Sequence, residues 1–209
     1  MTTALQLLQR MRFRVPAAWV AGVLACLVSM PAWCDKADWS DWSLGAYGGQ
    51  YYDTEPAGFS QGNANYLNQY ILAINANKTL WRSASLPMSV ELDMVLGQQF
   101  GQASLTEIAV APVLRWSSFP WNKTLQTDLR LGPLGLSYTS DVSPLERGPT
   151  GEGTRLLNFL LIEVAFSRPS AKSEEYFVRL HHRCAIYDLI NPYGANGEDF
   201  LVLGYRHHF

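Results

Sequence analysis

Near its carboxy-terminus the 209-residue chain reads Leu180-His181-His182-Arg183-Cys184, which sets an imidazole and a thiol two positions apart. On an extended strand, residues i and i+2 share a face, and their side chains are close enough for a base to activate a nucleophile. A thiolate paired with histidine is a competent acyl nucleophile. Further on, Glu198-Asp199 opens the last alternating stretch. A carboxylate beside the imidazole would orient it and stabilise its charged form. His182 as base, Cys184 as nucleophile, and Asp199 or Glu198 as third member form the candidate catalytic set. The competing reading makes Cys184 an ordinary small apolar residue, His182 a wet amphipathic ring, and the two acids solvated charges at a loop end.

Other chemistry finds little support. His181, His182, His207 and His208 all fall in the last two strands, but adjacent strand residues point to opposite faces, so no metal site is expected. No cofactor is expected either. A net charge of -2 gives no basic footprint for nucleic acid.

The elements that must position this set are legible in the hydropathy. The chain is 48% hydrophobic but only 16% charged, against roughly 25% charged for soluble domains. Arg10, Arg12 and Arg14 precede an apolar stretch from Val15 to Met30 and then Pro31-Ala32-Trp33-Cys34. This pattern predicts a secretory signal peptide over residues 1–34, with Ala32 at the −3 position of the cleavage site. Residues 35–209 are then the mature domain. Cys26 and Cys34 belong to the signal, which leaves Cys184 as the lone mature thiol and no disulfide framework. The body has no apolar run of about 20 residues, which argues against a helical membrane protein.

The mature chain divides into strands of about ten residues. They cover Trp42–Tyr52, Tyr66–Asn77, Met88–Gln98, Leu105–Trp116, Leu125–Tyr138, Arg155–Phe166, Tyr176–Ile186 and Glu198–Phe209. In the third, Met88, Val90, Leu92, Met94 and Leu96 oppose Ser89, Glu91 and Asp93. In the sixth, Leu160, Ile162, Val164 and Phe166 oppose Arg155 and Glu163. The polar set carries both signs, as suits ion pairs filling a narrow lumen, and eight strands leave an interior just wide enough for side chains. Trp42, Trp81, Trp116 and Trp121 lie near strand ends, as interfacial girdles require. The expectation is an all-β fold, an eight-stranded antiparallel up-and-down transmembrane β-barrel of the bacterial outer membrane. A soluble lipocalin-like barrel, apolar inside, is the alternative. A strand closing on Phe209 is how outer-membrane barrels usually finish, and it makes the barrel assembly machinery an expected partner.

Loop lengths orient the barrel. With the carboxy-terminus periplasmic, the long connections Asp53–Asn65, Ser140–Gly153 and Tyr187–Gly197 face outward. Parity then places His182 and Cys184 with Tyr176, Val178 and Leu180 on the lipid face, and Arg179, His181 and Arg183 in the lumen. Counting back from a lipid-facing Phe209 puts Asp199 on the outer face and Glu198 on the inner.

His182-Arg183-Cys184 on the penultimate strand, with an acid opening the last, resembles the His-x-Ser and downstream Glu of PagL-type lipid A 3-O-deacylases. Arg115-Trp116-Ser117-Ser118-Phe119-Pro120-Trp121-Asn122 and Arg155-Leu156-Leu157-Asn158 also resemble exported acyloxyacyl hydrolase-like proteins. The resemblance implies a lipid-facing triad acting on lipid A, the anchor of lipopolysaccharide. Cys184 departs from the family's Ser. A thiol in a site whose oxyanion donors suit a shorter bond implies either altered chemistry or a retired enzyme, a non-catalytic barrel of structural or adhesive role.

Overall fold

The computed structural model describes residues 40–53, 65–186, 190, 193 and 197–209. The predicted signal peptide and its cleavage site lie outside the described residues. Among the described residues nine strands follow one another: β1 (Trp42–Tyr52), β2 (Tyr66–Arg82), β3 (Met88–Gly101), β4 (Leu105–Trp116), β5 (Gln126–Gly132), β6 (Leu136–Thr139), β7 (Leu156–Arg168), β8 (Ala171–Cys184) and β9 (Glu198–His208). All pairings are antiparallel, successive strands pair except β5 with β6, and β1 pairs with β9, so the sheet closes on itself. The two short strands β5 and β6 both pair with β4 and β7, forming two halves of a single stave. The result is the expected closed eight-stave up-and-down barrel.

The alternation resolves into two chemically opposite faces. In β4 every second residue is buried and every other one exposed. Outward residues are apolar and strongly exposed, among them Leu72, Ile74, Ile108 and Leu203. Trp81, Trp116 and Trp121 are exposed near the end with short connections; Tyr66, Phe100 and Tyr138 are exposed near the other. An apolar band between two aromatic girdles is the surface a bilayer selects. A water-soluble barrel would have the opposite polarity, so the lipocalin-like alternative fails on this observation.

The lumen holds the charge. Arg130, Arg179 and Arg206 are fully buried, and all three converge on Glu163 at 2.6–3.0 Å. Asp93 adds pairs to Arg179 and Arg130 at 2.8 and 3.3 Å. Arg115 bridges Glu91, Asp128 and Glu175 at 2.6–2.8 Å. Burial of charge is tolerated only with such dense pairing. Toward the long-loop end, His181 takes Tyr47 on one ring nitrogen at 2.9 Å and Glu107 on the other at 3.0 Å.

The strands differ from the sequence expectation in instructive places. β2 and β3 run longer, to Arg82 and Gly101, because ladder pairing continues beyond the apolar alternation. Gly101 ends β3 at φ +126°, a conformation open to glycine. Arg155, expected in the lumen, precedes β7 and is exposed, 3.7 Å from Asp141. The long strand expected over Leu125–Tyr138 is broken at Pro133-Leu134-Gly135. Pro133 cannot donate to the ladder, and the register to both neighbours slips by one residue across the break. The slip keeps Leu136 and Tyr138 on the lipid face, where an unbroken strand would have turned them inward.

Candidate active site on the barrel exterior

β8 places Arg179, His181 and Arg183 inward and leaves His182 and Cys184 on the outer face. Antiparallel pairing puts His182 opposite Asp199 on β9. The imidazole Nδ1 lies 2.5 Å from Asp199 Oδ1, with each side chain about a quarter exposed (24% and 25%). The Cys184 thiol, two residues on along the same face, interacts with this imidazole. The side chains of the candidate base, nucleophile and third member therefore meet at the long-loop end of the exterior wall.

Glu198 does not join them. It is fully buried in the lumen, where Ser143 Oγ donates to its carboxylate and Arg183 lies 3.8 Å away. No bulge intervenes to turn it outward, because the β8–β9 register runs unbroken from Glu174↔His207 to Arg183↔Glu198. His207 and His208 lie at the opposite end of β9 from Asp199.

Two further groups surround the sulfur, and neither was singled out from the sequence as part of the set. Asn158, opposite Cys184 on β7, is 2% exposed although it points toward the lipid face. Its Nδ2 donates to Pro133 O at 3.3 Å and to Cys184 Sγ at 3.5 Å, while Oδ1 accepts from Gly135 N at 3.1 Å. Ile186 is in the left-handed region at φ +46°, rare for a β-branched residue, and its backbone N–H is directed at the same sulfur. An Asn among outward apolar residues was the available signal for Asn158. The unusual φ of Ile186 leaves no trace in residue type.

No protein-family model matches the sequence, and no curated protein matches it either. Among solved structures, the outer membrane enzyme PagL superposes with a TM-score of 0.56 at 16% identity, over 80% of this chain and 99% of that one. Neisserial surface protein A superposes with a TM-score of 0.48 at 10% identity, over 81% and 98% of the two chains. The PagL likeness is one of fold: together with the apolar exterior band already described, this fold is that of bacterial outer-membrane β-barrels.

Proposed function

We propose that this barrel hydrolyses an ester-linked acyl chain of lipid A in the outer leaflet, with Cys184 as nucleophile, His182 as general base and Asp199 as the group that holds the imidazole. One observation carries the reading: the 2.5 Å His182–Asp199 contact, on the lipid face and beside a thiol. A hydrogen-bonded pair of ionisable side chains is costly on a lipid wall and is kept where it works. The resemblance of His182-Arg183-Cys184 to the PagL-type motif supplies the substrate class. The long-loop end of the barrel is the outer-leaflet end in the proposed orientation.

In this mechanism His182 takes the Cys184 proton as sulfur attacks the ester carbonyl. The tetrahedral adduct collapses to a thioester, and His182 returns the proton to the departing sugar hydroxyl. Water, deprotonated by the same imidazole, then releases the fatty acid and restores the thiol. Asp199 stabilises the imidazolium in both halves. The proposal includes export by the amino-terminal segment and insertion by the barrel assembly machinery through the strand ending at Phe209.

The test is mass spectrometry of lipid A from cells expressing the wild type or Cys184→Ala. Loss of one acyl chain with the wild type alone supports the proposal. An unchanged acyl pattern under strong expression of folded wild-type barrel overturns it in favour of a structural or adhesive barrel.

A further inference from the structure

We infer that Asn158 is a positioning residue that fixes the Cys184 side chain and favours loss of its proton by donating to the sulfur. The inference rests on the reading of Cys184 as nucleophile. A carboxamide on the lipid side of a barrel wall is misplaced unless its donors and acceptor are engaged. Asn158 engages all of them. The strand break removes Pro133 O and Gly135 N from the ladder, and the amide takes both. That grip fixes the side chain so that the second N–H of Nδ2 has one remaining direction, toward Cys184 Sγ.

The geometry makes the break in the β5–β6 stave part of the site. Gly135 packs so closely that a Cβ there would lie 2.6 Å from Val110 O and 2.7 Å from Phe159 O, so the backbone that orients Asn158 has no slack. The Ile186 backbone N–H, two residues further along the chain, is a second donor toward the sulfur. Two fixed donors favour the charged form of a thiol over the neutral one. A purely structural clamp would need Pro133 O and Gly135 N alone, and the contact to sulfur would have no consequence.

The experiment measures iodoacetamide alkylation of the Cys184 peptide against pH, by mass spectrometry, in outer membranes carrying the full chain. Asn158→Asp is nearly isosteric and keeps an acceptor for Gly135 N, but it replaces both N–H donors with negative charge. Asn158→Ala removes the side chain. Both variants are expected to move the alkylation midpoint up by about one pH unit, roughly a tenfold loss of thiolate near neutrality, with the high-pH plateau unchanged. Asn158→Ser, which keeps one hydroxyl donor, should recover part of the shift and serves where Asn158→Asp does not fold. Midpoints equal to the wild type in any folded variant that lacks the donor overturn the inference. A shifted midpoint with unaltered lipid A in wild-type cells keeps Asn158's role and discards the hydrolase.

Discussion

His182 and Asp199 face one another across the β8–β9 ladder, with Nδ1 2.5 Å from Oδ1, on a wall whose neighbouring outward residues Leu160, Leu180 and Leu201 are apolar. The adjacent Glu198, one position away in sequence, is in the lumen with Ser143. The pair of acids therefore separates two roles by side of the sheet. Asp199→Asn should lower acyl hydrolysis by about 10³- to 10⁴-fold, the scale set when a triad loses the carboxylate that fixes the histidine tautomer. Glu198→Gln should leave turnover close to wild type. Assays on purified, refolded-competent barrel with a lipid A substrate compare the two, and equal losses would contradict the assignment.

Glu163 is the hub of the lumen. Its oxygens meet Arg130 at 2.7 Å, Arg179 at 2.6 Å and Arg206 at 3.0 Å, all without solvent exposure. Removing it takes one carboxylate partner from each of three buried guanidinium groups, which keep Glu91, Asp93 and Glu175, and breaking such a buried pair costs about 3–5 kcal/mol. Glu163→Ala should lower the unfolding midpoint in urea, measured by tryptophan fluorescence in lipid vesicles. An unshifted midpoint would mean that water reaches the lumen and screens the arginines.

Leu203 stands mid-strand on β9 and is 66% exposed on the outer face. Arginine there must be solvated within hydrocarbon, so Leu203→Arg should destabilise the inserted barrel by about 2–4 kcal/mol. His207→Arg, on the same face near the short-loop end, should cost only about 0–1 kcal/mol because the side chain reaches the interface. The same vesicle unfolding experiment reads both, and equal costs would remove the bilayer from the proposed depth.

The barrel was legible because period-2 alternation in a closed sheet is set by two solvents, lipid outside and paired charge inside. Residues such as Glu91, Asp93, Arg130 and Arg179 announce the lumen by type alone. Parity also separated Asp199 from Glu198, since a side chain's face depends only on counting along an unbroken strand. Counting fails where the strand is broken. Pro133 and Gly135 warned of irregularity in the fifth strand, but the one-residue slip is fixed by pairing with β4 and β7, elements distant in sequence. Asn158 acquires its contacts from that slip, so its place beside Cys184 was not readable from local pattern. Nor was the inward fold of the loop after β6, which was read by its length alone as an outward-facing connection.

That loop offers a pH test. Its short 3₁₀ turn, Pro144–Glu146, buries Glu146 completely against Arg183, at 2.7 Å from Oε1 and 2.8 Å from Oε2. Arg183 also faces Glu107 and Glu198, each at 3.8 Å, and Tyr51 lies within their field. Burial, reinforced by the Glu198 and Glu107 carboxylates and opposed by Arg183, pushes the Glu146 carboxyl well above the usual carboxylate range. A raised acid favours the docked loop when protonated. Its contribution is complete below the ordinary glutamate value near pH 4.3 and is lost as pH rises through the higher docked value. Hydrogen exchange of residues 140–153, corrected for intrinsic rates, should therefore show protection falling as pH rises from mildly acidic to alkaline. Glu146→Gln cannot ionise and should flatten that dependence while leaving the barrel strands protected. Wild-type protection that instead increases with pH would show that Arg183 dominates and that Glu146 docks as the carboxylate.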